Sequence, residues 1–133
     1  MNNAKKLEIN TNGGTLIFEV VNELRWCVVS FRTDSGTVKL GAENVGILCG
    51  RITEKLSDVS NNKPFVLHDK EMYTITSLFE GHSTLIYSML DGNAVQVLYG
   101  DAELRINPLF SLTEEERLDF LRKLEAFGAE AQS

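Results

Sequence analysis

Apolar and polar positions alternate in short runs along most of the chain and change to a helical period twice. "TLIFEVV" (15–21) and "LRWCVVSFR" (24–32) are rich in β-branched and aromatic residues, with only Asn22 and Glu23 between them, which predicts a β-hairpin. Leu7 to Ile9 predicts a short strand ahead of the turn "NGG" (12–14). "TDSG" (33–36) is a second turn and "TVKL" (37–40) a fourth strand. Val45, Leu48, Ile52 and Leu56 then recur at helical spacing, predicting a helix over 42–58 that ends in the polar loop "SNNKP". Downstream, "MYTITSLF" (72–79), "TLIYSML" (84–90), "AVQVLY" (94–99) and "AELRI" (102–106) read as strands joined by "EGHS", "DGN" and "GD". After Pro108 a helix is predicted over 113–127: Thr113 and Glu116 have capping-box spacing, and Leu118, Leu121 and Leu124 or Phe127 supply the apolar stripe.

The order is thus four strands and a helix, twice. It predicts an α+β fold with two antiparallel units, 7–58 and 65–128, in one domain spanning 1–133. "SGTVKLGAENVGILCGRITEKL" and "GDAELRINPLFSLTEEERLDFLRKLEAF" correspond in kind: a turn, a short strand with one outward base (Lys39, Arg105), then an amphipathic helix. Gly46 and Gly50 each cost that first helix roughly 1 kcal/mol against alanine. Either the helix approaches another backbone closely, within the chain or in a second copy, or it breaks near Gly50. A helix on one face of each antiparallel sheet leaves the other face open.

Composition narrows the function. With 133 residues and 43% of them hydrophobic, the chain can bury a core. Its longest apolar runs are far shorter than the ~20 residues that span a bilayer, and "MNNAKKLEIN" lacks a signal-peptide stretch, so a cytoplasmic protein without membrane contact is expected. Cys27 and Cys49, on apolar segments without CxxC spacing, read as buried reduced thiols, with a disulfide or metal site as the other reading. The net charge of −6 lies wholly beyond residue 60, partly in Glu114, Glu115 and Glu116, which suit the positive end of a helix dipole. There is no phosphate-binding glycine loop, no nucleophile elbow and no cysteine with an evident histidine partner. His68, Asp69 and Glu71 do not complete a metal shell, and Asp101 and Glu103 read as strand-edge acids. Neither catalysis nor a cofactor or metal is expected.

The doubled order resembles the Whirly and Pur-alpha class of single-stranded nucleic-acid-binding proteins, and related small phage recombination proteins. The resemblance runs from about Leu7 to Phe127 in element order and helix placement. The lysine-rich Whirly motif is absent, so no site residue transfers by position. What the resemblance implies is single-stranded nucleic acid held on sheet faces, without base-specific readout. The residues offer matching chemistry: alternation puts Trp26, Val28, Ser30 and Arg32 on one face and Arg25, Cys27, Val29 and Phe31 on the other. Trp26 is the candidate for base stacking, and Arg25, Arg32 and Lys39 are the candidates for phosphate contacts. Tyr73, Tyr87, Lys5, Lys6 and Lys63 could extend the path, although half-buried strands select aromatic residues in any case, and Tyr99 like the other two tyrosines reads first as a core residue. A sequence pI near 4.9 opposes general attraction to nucleic acid. The alternative is therefore an acidic protein-interaction module, such as an adaptor, an inhibitor or a secretion-chaperone-like protein, whose free sheet face receives a partner strand or helix. Open sheet edges and the helix glycines also predict a homo-oligomer.

Overall fold

A computed structural model of the chain describes residues 5–21, 24–79 and 82–132, so the predicted connection at Asn22–Glu23 and the first half of the predicted turn at 80–83 lie outside the described residues. Strands β1 (Lys6–Asn10), β2 (Thr15–Val20), β3 (Trp26–Thr33) and β4 (Gly36–Asn44) lead into helix α1 (Val45–Ser57) and a 3-10 turn at Val59–Asn61. Strands β5 (Phe65–Leu67), β6 (Lys70–Phe79), β7 (Ser83–Met89), β8 (Val95–Gly100) and β9 (Ile106–Leu112) lead into α2 (Glu114–Gln132). Each set forms one antiparallel meander, four-stranded in the first case and five-stranded in the second.

The α+β architecture with two antiparallel sheets follows the sequence pattern, and two details correct it. The second unit has five strands rather than four, because Phe65–Leu67 pairs with Lys70–Met72 at the start of β6 across a two-residue turn, His68 and Asp69, both at positive φ. "AELRI" is a turn, not a strand. The Asp101 carboxylate accepts from the Glu103 and Arg105 amides at 2.9 and 3.0 Å, holding 101–105 in a tight loop with Leu104 at φ 64°. The last strand therefore starts at Ile106 and runs through Pro108, which is tolerated because β9 is an edge strand.

The inner faces of both sheets and both helices share one core. Phe18 of β2 meets Phe120 and Phe127 of α2, while Phe31 and Phe110 stack at 5.7 Å where the two sheets approach each other directly. A bulge at Leu40, between the pairs Val29↔Gly41 and Ser30↔Lys39, carries β4 towards the second sheet, and the Ser83 hydroxyl donates to the Leu40 carbonyl at 2.8 Å. Asn44 caps α1 by accepting from the Gly46 and Ile47 amides, and α2 starts on the reciprocal Thr113–Glu116 capping box.

The helices lie antiparallel. Gly46 faces the Gln132 side chain, and a Cβ on Gly128 would stand 3.0 Å from Cys49 Cβ. The close approach is thus real but centred on Gly128; α1 is unbroken at Gly50, whose missing Cβ faces open space. Alanine should act oppositely at the two sites. Gly50→Ala should stabilise by about 1 kcal/mol and raise the thermal midpoint, and Gly128→Ala should destabilise by about 1–3 kcal/mol by forcing the helices apart.

Arg117, in the first turns of α2, is buried at 3% exposure. Its Nε donates to the Asn93 carbonyl at 2.9 Å and its Nη1 to the Leu56 carbonyl in the last turn of α1. Arg117→Met would orphan both carbonyls and should cost about 2–4 kcal/mol in urea unfolding. Lysine should not restore the loss, having no planar fork for two separate acceptors.

Candidate nucleic-acid interface

In β3 the alternation is as predicted: Cys27, Val29 and Phe31 are buried, while Trp26 and Arg32 are exposed and Val28 and Ser30 half-buried on the outer face. Register extends this face across the sheet, aligning Thr15–Arg32–Thr37 and Ile17–Ser30–Lys39, with Trp26 opposite Asn44. Trp26 and Arg32 are six residues apart, about 20 Å along the strand. Lys39 lies opposite Ser30 and so diagonally from Arg32, whose partner is Thr37.

Trp26 is 37% exposed beside Val21, whose amide donates to the Trp26 carbonyl at 2.9 Å. Leu24, in the adjoining loop, is 80% exposed, and Ile47, whose amide is held by the Asn44 cap, is exposed as well. These four exposed apolar side chains come from the chain around the start of β3 and the start of α1. Arg25 stands just ahead of β3 at φ 59°, its carbonyl accepting from the Val45 amide, so strand alternation does not set its direction. Its side chain is exposed.

Arg32 is engaged by Glu8 at 3.2 Å, and Lys6 reaches the same carboxylate at 3.3 Å. Hydrogen bonds from Lys6 and then Arg32 hold the Glu8 carboxyl below its usual range. Such an exposed arrangement is weak and exchangeable. By register the outer face carries three cations (Lys6, Arg32, Lys39) against two carboxylates, Glu8 and Glu19.

The remaining aromatic candidates divide. Tyr87 is fully buried, stacked on Tyr73 at 4.8 Å, and donates to the Val59 carbonyl at 3.1 Å; burial pushes its ionisation up. Neither ring is offered to a base. Lys5 donates to the Glu130 carbonyl, tying β1 to α2. The second sheet's outer face is occupied: Met72, Ile86 and Leu98 form a small buried cluster flanked by Phe65, Leu67 and Ile106. The β5–β6 turn closes over towards the β8–β9 loop, with His68 Nε2 3.1 Å from the Leu104 carbonyl. Among the described residues, the open face belongs to the first sheet.

Between the bulged edge of β4 and the second sheet lies a cleft of about 430 Å³, lined by Lys39, Leu40, Gly41, Ser83, Tyr99 and residues 101–103 and 105. Lys39 of β4 and Arg105 of the 101–105 loop both line it. Arg105 is fixed by Asp101 at 2.8 Å and Glu103 at 3.4 Å, and hydrogen bonds led by the Arg105 amide hold the Asp101 carboxyl below its usual range. Sequence reasoning did not find this cleft; the Gly-Asp start of the 101–105 loop was its one visible signal, since Asp favours such side-chain-to-backbone turns. The described residues bring together no three His, Cys, Asp or Glu side chains able to hold a metal ion.

No protein family, curated protein or solved structure matches the chain. No helix among the described residues is long and apolar enough to cross a membrane.

Both cysteines are buried and unbridged, Cys27 pushed up to about 12 and Cys49 to about 11, chiefly by burial. Native thiols should resist a disulfide reagent at pH 8 and react on unfolding. Unfolded thiols ionise near 9 while the folded ones keep their protons. Stability should therefore be full below pH 9 and fall as pH rises towards 11–12, read as a declining urea midpoint.

Proposed function

We propose that the protein binds single-stranded nucleic acid along the outer face of its first sheet, without base-specific readout and without a cofactor. The observation that supports this reading is the exposed Trp26 sharing one open face with Arg32 and Lys39, with Arg25 beside it. An indole offers a stacking surface to any base, and cations spaced along the same strands follow a phosphate backbone. Glu8 is a built-in brake, occupying Arg32 and Lys6 until a polyanion competes for them.

A second reading has its own observation. Val21, Leu24, Trp26 and Ile47 are all exposed, as in a surface that docks a protein, including a second copy of this chain.

Fluorescence anisotropy with labelled oligothymidine at low salt tests the first reading. Affinity should fall as salt rises. Trp26→Ala should weaken binding roughly fivefold or more, whereas Glu8→Gln, which frees two cations and removes a negative charge, should tighten it roughly two- to fivefold. Absence of binding at about tens of micromolar protein, or binding indifferent to Trp26→Ala, would overturn the proposal. Light scattering that shows an oligomer dissociated by Trp26→Ala, without oligonucleotide binding, would favour the second reading.

A further inference from the structure

We infer that the cleft beneath the β4 bulge receives one base of the bound strand, with Tyr99 as its stacking residue. This rests on the nucleic-acid reading above and extends it to a place that the outer face does not include. Lys39 belongs to both: it is an exposed cation on the outer face, opposite Ser30, and part of the cleft lining. A strand following the cations therefore arrives at the cleft rim.

The lining favours a flat, uncharged group over a phosphate. Two cations, Lys39 and Arg105, are matched there by two carboxylates, Asp101 and Glu103, so the cleft has no net attraction for an anion. Tyr99, partly buried against the core, contributes an aromatic side chain. Arg105 contributes a planar, exposed guanidinium whose Nε donates to Asp101 at 2.8 Å. Leu40 and Ala102 add apolar wall, and carboxylate oxygens with the Ser83 hydroxyl add hydrogen-bonding edges. The volume of about 430 Å³ lies in the range of small-molecule sites. An aromatic side chain, a cationic plane and polar edges together suit a nucleobase.

The test uses the unmodified protein first. Ultraviolet cross-linking to oligothymidine carrying 4-thiothymidine, followed by peptide mapping, should place adducts on the segment containing Tyr99 as well as on the one containing Trp26. Tyr99→Leu, which keeps apolar packing, should weaken oligothymidine binding roughly fivefold, and Tyr99→Phe should retain it. Adducts at Trp26 without any at Tyr99, or unchanged affinity in Tyr99→Leu, would overturn the cleft inference and leave the outer-face proposal standing. No oligothymidine binding by the unmodified protein would overturn both. Equal affinity for thymidine monophosphate and the oligomer would overturn a strand as the source of the base.

Discussion

The guanidinium of Arg117 joins three parts of the chain that nothing covalent holds together. One arm reaches Leu56 at the end of α1 and another reaches Asn93 in the β7–β8 turn, while the backbone belongs to α2. Burying such a charge costs several kcal/mol, and no carboxylate among the described residues pairs with it. The offset comes from carbonyls, including one in the last turn of α1, where unpaired carbonyl groups concentrate the negative end of the helix dipole. This fixes α1 and α2 antiparallel, brings Cys49 against Gly128, and places Phe120 and Phe127 under Phe18. That joint sets the second sheet against both helices, beside the Phe31–Phe110 stack and the Ser83–Leu40 hydrogen bond that join the sheets directly.

The two units share an element order but not a role. In the second, the short β5 and the 101–105 loop fold over the outer face and seal Met72, Ile86 and Leu98 beneath Phe65, Leu67 and Ile106. In the first, β1 is an edge strand, and no such flap covers the outer face among the described residues. One extra strand of three residues turns a platform into a second small core, which is why a repeat in sequence order need not double a binding surface.

Local chemistry was legible in the sequence where it acts within a few residues. The Thr113–Glu116 capping box, the inward Cys27, Val29 and Phe31, and the extended meander before each helix all follow from spacing. Features decided at long range were not. Pro108 suggested a boundary, yet β9 continues through it because its other edge has no strand to bond. Gly50 suggested close packing, yet the tight contact is Gly128 against Cys49, a pair whose meeting depends on how the helices cross. Of the candidate site, the Trp26 and Arg32 face could be read from alternation. The Glu8 contact to Arg32 could not, since it spans two strands, and neither could the cleft that Lys39 and Arg105 both line.

The acidic balance of the chain weighs less against a polyanion on the first sheet than the total of −6 implies. Much of the excess is on α2, which packs against the inner side of that sheet through Phe120 and Phe127. A strand on the outer face would be separated from those carboxylates by the sheet and the helix body, a span of roughly 10 Å or more. At physiological ionic strength that is at least a Debye length of about 8 Å, so the helix charge is largely screened. What a ligand meets at close range is the local set of Lys6, Arg32 and Lys39 with Glu8 and Glu19, a weakly positive surface. Such a surface supplies little steering and a modest salt slope. On the proposed reading, affinity for a single strand would come from stacking on Trp26 more than from phosphate neutralisation.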